Sequence, residues 1–150
     1  MIMKYAVPTM LAALAISCPV LADDAAGRPD AAAHYAAFDA ASKSGLSPQS
    51  MSEELACAAY WERWASSLEA TSDAAFVASL HPDLSVANAR GRIIRFQRIA
   101  RRRQGEMVDE AEFAEDIAEA QAMAERSYGR YARREERGFE RFIEMLGICR

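Results

Sequence analysis

The sequence predicts an all-α fold, a small helical bundle of four or five helices, disulfide-stapled and placed after an N-terminal signal peptide. Three observations carry this expectation. Residues 23–150 hold 27 alanines, while valine, isoleucine and threonine are sparse, so helix propensity dominates from end to end. Apolar residues recur with the 3–4 spacing of a helix that buries one stripe. Beyond the leader, the only cysteines are Cys57 and Cys149, a single even pair.

Met1 to Lys4 is positively charged, and Tyr5 to Ala22 is then free of charge around the short apolar centre Met10–Ile16. Val20-Leu21-Ala22 places tolerated small residues before Asp23-Asp24, which predicts a signal peptide over 1–22 with cleavage after Ala22. Pro8 and Pro19 argue against an uncleaved membrane span, although 18 uncharged residues approach the roughly 20 a bilayer needs. A lipoprotein signal using Cys18 is the less favoured alternative, because Ala15 stands where leucine is usual and Pro19 follows the cysteine directly. Export predicts a periplasmic or secreted protein with no stable membrane span after cleavage. The formal net charge of −4 falls to about −5 once Lys4 is removed, and gives no general pull toward nucleic acid.

Residues 23–29 read as a disordered leader, and 30–150 as one domain. Asp30 is an N-cap for a first helix over Ala31–Ser42, with Gly45 as its stop. His34, Tyr35 and Phe38 share a face of this helix, but its apolar surface is thin. It is expected to lie across the bundle or to be poorly fixed.

The central element is Ser50 to about Ala70. Ser50 and Glu53 form a capping-box pattern, and Cys57, Trp61, Trp64 and Leu68 fall within about 60° of one helical face. Glu62, Arg63, Ser66 and Glu69 occupy the other side. In an oxidising compartment Cys57 is expected to bridge to Cys149, closing a loop worth roughly 4–5 kcal/mol from chain entropy before strain. Phe76, Val77 and Leu80 then make a short apolar segment that ends at His81-Pro82-Asp83.

A third clear helix starts near Ser85, with Val86, Ala89, Ile93, Phe96 and Ala100 as its seam and Gly105 as its end. Off that seam lie Arg90, Arg92, Arg95, Arg98, Arg101, Arg102 and Arg103, with no acid between Leu84 and Gly105. Seven acids follow: Glu106, Asp109, Glu110, Glu112, Glu115, Asp116 and Glu119. A turn at Gly105 would fold the two helices into an antiparallel hairpin in which arginines face carboxylates. That intramolecular pairing is the favoured reading of the arginine run. Docking of an acidic protein partner, or of anionic lipid or polysaccharide, is the competing one.

After Asp109, the stripe Phe113, Ile117, Ala120 and Ala124 leads into Tyr128, Tyr131, Phe139, Phe142, Leu146 and Cys149. One unbroken helix here would reach roughly 58 Å, so a break or kink is expected near Gly129 or Gly138.

Chemistry-bearing motifs are absent. There is no C-x-x-C, no C-x-x-C-H, no H-E-x-x-H, no P-loop, no G-x-G-x-x-G and no G-x-S-x-G. No cofactor, metal or catalytic residue is expected. Cys57 has no neighbouring base that would depress its thiol pKa, so a structural role outweighs a nucleophilic one. The Trp61/Trp64 stripe reads as core in preference to an apolar ligand groove. The expected role is therefore non-enzymatic: binding to an acidic protein of the cell envelope through the arginine face, with no nucleic acid involved. An enzyme with an unrecognised carboxylate site and a purely structural envelope component are the alternatives.

Overall fold

The computed structural model describes residues 28–105 and 109–150. The signal peptide over 1–22 and the Cys18 alternative lie outside them. Among the described residues every regular element is helical: α1 (Ala31–Ser42), α2 (Met51–Ala70), α3 (Ala74–Ser79), a 3-10 turn (Pro82–Leu84), α4 (Val86–Gln104), α5 (Glu110–Ala132) and α6 (Gly138–Ile148). None of these helices is long and apolar enough to cross a membrane. Among the described residues the α-helices number six, where four or five were expected. The short apolar segment after α2 closes into its own helix, and the C-terminal stretch divides in two.

Local chemistry explains the boundaries. The Asp30 carboxylate accepts from the Ala33 amide at 2.8 Å, capping α1. Both halves of the capping box at Ser50 and Glu53 are formed. Asp73 caps α3 through the Phe76 amide, Ser85 caps α4 through Asn88, and Asp109 caps α5 through Ala111. The break between α5 and α6 falls at Arg133–Arg137, so Gly129 stays inside α5. Arg134 and Arg137 take left-handed φ values of 55° and 59° to turn the chain. Gly138 permits the turn: a Cβ there would sit 2.5 Å from the Arg130 carbonyl oxygen.

α2 is the hub, and α4, α5 and α6 pack on it from different sides. Glu54 to Trp61 are buried without interruption, which three alanines (Ala56, Ala58, Ala59) make feasible by letting neighbouring helices come close. Cys57 is bridged to Cys149, with Cα atoms 5.3 Å apart and both residues in the core. Trp61 Nε1–H donates to the Cys149 carbonyl at 2.6 Å, and Trp64 Nε1–H donates to the Leu84 carbonyl at 2.9 Å. Both indoles therefore bury their rings without leaving a donor unpaired.

The N-terminal stretch is tied to the bundle at two places. α1 is firmly fixed: Ala31, His34, Phe38 and Ala41 are buried, largely against α6. Gly147 brings the two helices together, since a Cβ on it would stand 2.5 Å from the Phe38 carbonyl oxygen. The end of the expected disordered leader also belongs to the fold. The Arg28 guanidinium pairs with Asp73 at 2.6 Å and lies 3.8 Å over the Phe76 ring.

Candidate functional site

The seven arginines all lie on α4, which carries no acid and fixes its orientation through Ala89, Phe96 and Ala100, each nearly inaccessible to solvent. Among the described residues, which leave out Glu106, the expected arginine–carboxylate pairing between the two helices comes down to one ion pair, Arg101 with Glu110. α4 and α5 scarcely touch, because each lays its apolar stripe on α2. Phe96 and Phe113 both lie in the buried core, and burying them outweighs what exposed ion pairs between the two helices would contribute.

The arginines consequently divide into four groups. Arg90 pairs with Glu69 at 2.6 Å, and Arg103 lies 3.4 Å from Glu54 and donates to the Gln49 carbonyl at 2.6 Å, so both are tied to α2 and the loop before it. Arg92 and Arg95 pack over aromatic rings, 5.1 Å from Trp61 and 5.6 Å from Phe96. Arg95 also donates to the Arg150 carbonyl at 3.3 Å. Arg101 alone meets the acidic helix, at 2.9 Å from Glu110 and 4.2 Å over Phe113. Arg98 and Arg102 pair with none of the described residues.

Opposite the buried seam, α4 presents Gly91, Ile94, Arg95, Arg98 and Arg102 as a continuous exposed stripe. Ile94 is 57% exposed, one of three large apolar side chains so displayed among the described residues. An apolar knob ringed by guanidinium groups with unused donors is suited to a surface that offers carboxylates around an apolar contact. On α5, Glu112, Glu115 and Glu119 are equally exposed, on a separate surface. Between the helices runs a groove of about 330 Å³, floored by Ala58 and Ala59 and walled by Gln97, Arg101, Phe113 and Ile117.

Glu54 stands out beneath this region. It is 3% exposed, its Oε2 has no hydrogen-bond partner, and burial raises its carboxyl above the usual range despite Arg103.

The other notable constellation was not foreseen from sequence. His34 is buried among Trp64, Phe76, Tyr131 and Phe139, with ring centroids 4.9–6.0 Å away. Its Nδ1–H donates to the Asp30 carbonyl at 2.7 Å, so Nε2 accepts from the Tyr131 hydroxyl at 2.9 Å. Burial holds the imidazole below its ordinary pKa and lifts the Tyr131 phenol above its own. These rings come from five elements, and only the shared face of His34 and Phe38 was visible beforehand. Beside them lies a pocket of about 480 Å³ bordered by Trp64, Phe76, Tyr128 and Tyr131. His81, the other histidine, stacks on Tyr35 with ring centroids 3.7 Å apart.

Fold and surface together define a disulfide-stapled helical bundle with segregated charge. No family model, curated protein or solved structure matches the chain.

Proposed function

We propose that the chain is an exported, non-enzymatic interaction protein of the cell envelope, which docks an acidic protein partner on the outer stripe of α4. The observation that carries this reading is the placement of Ile94 between exposed arginines of which two, Arg98 and Arg102, have no partner among the described residues. A row of cations already neutralised by α5 would offer nothing to a partner. This row is turned away from α5, and its apolar centre gives a docked surface something to desolvate. The leader expected over 1–22 and the buried Cys57–Cys149 bridge support an oxidising compartment.

Quantitative affinity capture from an envelope extract tests the proposal, using the unaltered protein, an Arg98→Glu/Arg102→Glu variant and a Glu112→Lys/Glu115→Lys variant as baits. One acidic protein should be retained by the first and third baits and lost from the second. Its affinity, remeasured with purified material, should fall at least tenfold on reversal of the α4 charges and weaken with added salt. Capture indifferent to the α4 reversal overturns the proposal. So does retention on heparin or anionic phosphatidylglycerol vesicles that competes with all protein capture.

A further inference from the structure

We infer that the pocket beside His34 is a preformed binding site for a flat aromatic carboxylate. This is a separate surface from the proposed docking stripe, and no residue of α4 lines it.

A cavity of about 480 Å³ lies between the second half of α2, α3, the end of α5 and the start of α6. Small organic ligands are usually held in cavities of about 300–1,000 Å³ with apolar walls and a few fixed polar groups. Here Trp64, Phe76, Tyr128, Tyr131 and Phe139 supply the aromatic part of the wall, and arginine and glutamate side chains supply much of the rest. Such walls select a flat ring system over a branched chain.

The walls are also held in place. Trp64 is anchored through its indole N–H to Leu84, and Tyr131 through its hydroxyl to His34. Phe139 packs edge-on against the same imidazole. Binding therefore does not have to order these side chains first, which keeps the entropic cost low.

The charge comes from arginines fixed in the same way. The Arg63 guanidinium lies 3.6 Å over the Tyr128 ring and 2.6 Å from Glu125, while Arg28 lies over Phe76 and pairs with Asp73. A guanidinium carries five N–H donors, so each retains donors after those pairings. Arg137 completes the rim from a left-handed backbone position. Arg28, Arg63 and Arg137 leave cationic character at the mouth, which Glu135 and Glu140 in the lining partly offset. Glu135 is itself engaged by Arg130 and Arg133.

Aromatic walls with fixed guanidinium donors at the opening match a planar ring bearing one carboxylate. The test titrates 1-naphthoate and its neutral isostere 1-naphthamide into the oxidised protein, following tryptophan emission and binding heat. Naphthoate should bind saturably, one per chain, and at least tenfold more tightly than the amide. Arg63→Gln and Arg137→Asn should each weaken naphthoate about tenfold, the usual scale for one charge-assisted hydrogen bond, and leave the amide unchanged. Asparagine tolerates the left-handed backbone at 137, so that variant keeps the fold if Arg63→Gln does not. Arg98→Glu should have no effect. Absence of saturable binding up to about 1 mM, equal affinity for acid and amide, or indifference to Arg137→Asn overturns the inference.

Discussion

The two sides of α2 are built differently. On one side α1 and α6 meet over Phe38, Phe142, Ile143, Leu146 and Cys149, almost all without solvent access, and a disulfide joins α6 to the hub. On the other side α4 and α5 rest on α2 mainly through Phe96, Phe113 and alanines, leave a groove between them, and carry most of the chain's segregated charge on their outer faces. The first side gains stability from large rings, close backbone approach and a covalent link. The second is held by narrow apolar stripes, which frees the rest of each helix surface to be cationic or anionic. Stability and surface character are thus assigned to different faces of one hub.

Breaking the disulfide should have the largest effect. Replacing Cys57 and Cys149 by serine should cost about 2–4 kcal/mol in guanidinium unfolding, because the bridge closes a long loop between two buried stripes. A loss under about 1 kcal/mol would mean that the α1/α6 side does not dominate stability. Gly147→Ala comes next, at about 1–3 kcal/mol, since the added methyl would meet the Phe38 carbonyl and the Ala41 side chain. Alanine at Gly91, where an added Cβ meets nothing within 4 Å, should instead be neutral or stabilising.

The pH responses of the two sides should oppose each other. His34 has its folded pKa lowered below 6.5, so the folded state binds its proton less readily than the unfolded state does. Its contribution is complete above about pH 6.5 and is lost as the pH falls below that value. Glu54 has its folded pKa raised above 4.5, so its ionisation costs stability as the pH rises from about 4.5 through the folded value. Glu54→Gln should therefore raise stability at pH 7 by on the order of 1 kcal/mol and give no gain at pH 4, read from thermal melts. A loss at pH 7 would mean that attraction to Arg103 outweighs the cost of burying the carboxylate. Smallest of all, Arg98→Glu/Arg102→Glu should change stability by no more than about 0.5 kcal/mol, as exposed unpaired side chains do.

Much of the first side was legible in the chain. Ser50 with Glu53, and the Cys57–Trp61–Trp64–Leu68 stripe, are local signals within one helix, and a lone cysteine pair leaves one intramolecular bridge to form. What sequence spacing could not deliver was contact between distant elements. The closeness of Gly147 to Phe38, and the gathering of five elements around His34, depend on how helices cross. The expected pairing of opposite charges came down to one ion pair for a related reason. Adjacent blocks of arginines and acids suggest pairing when only electrostatics is considered, but exposed ion pairs contribute about 0–1 kcal/mol each, whereas burying one phenylalanine contributes about 1.5–3 kcal/mol. Phe96 and Phe113 both go to α2, and the charges follow. Periodicity put all seven arginines off the buried seam without telling them apart; which of them are tied to α2, as Arg90 and Arg103 are, was not readable from either segment alone.

Apart from Arg101 with Glu110, the cationic and anionic helices do not spend their charge on each other, and this can be measured directly. A double-mutant cycle in denaturant unfolding would combine Arg98→Glu/Arg102→Glu with Glu112→Lys/Glu115→Lys. The two pairs of substitutions should add to within about 0.5 kcal/mol. A coupling above about 1 kcal/mol, with the fourfold variant recovering stability that each pair loses, would contradict it.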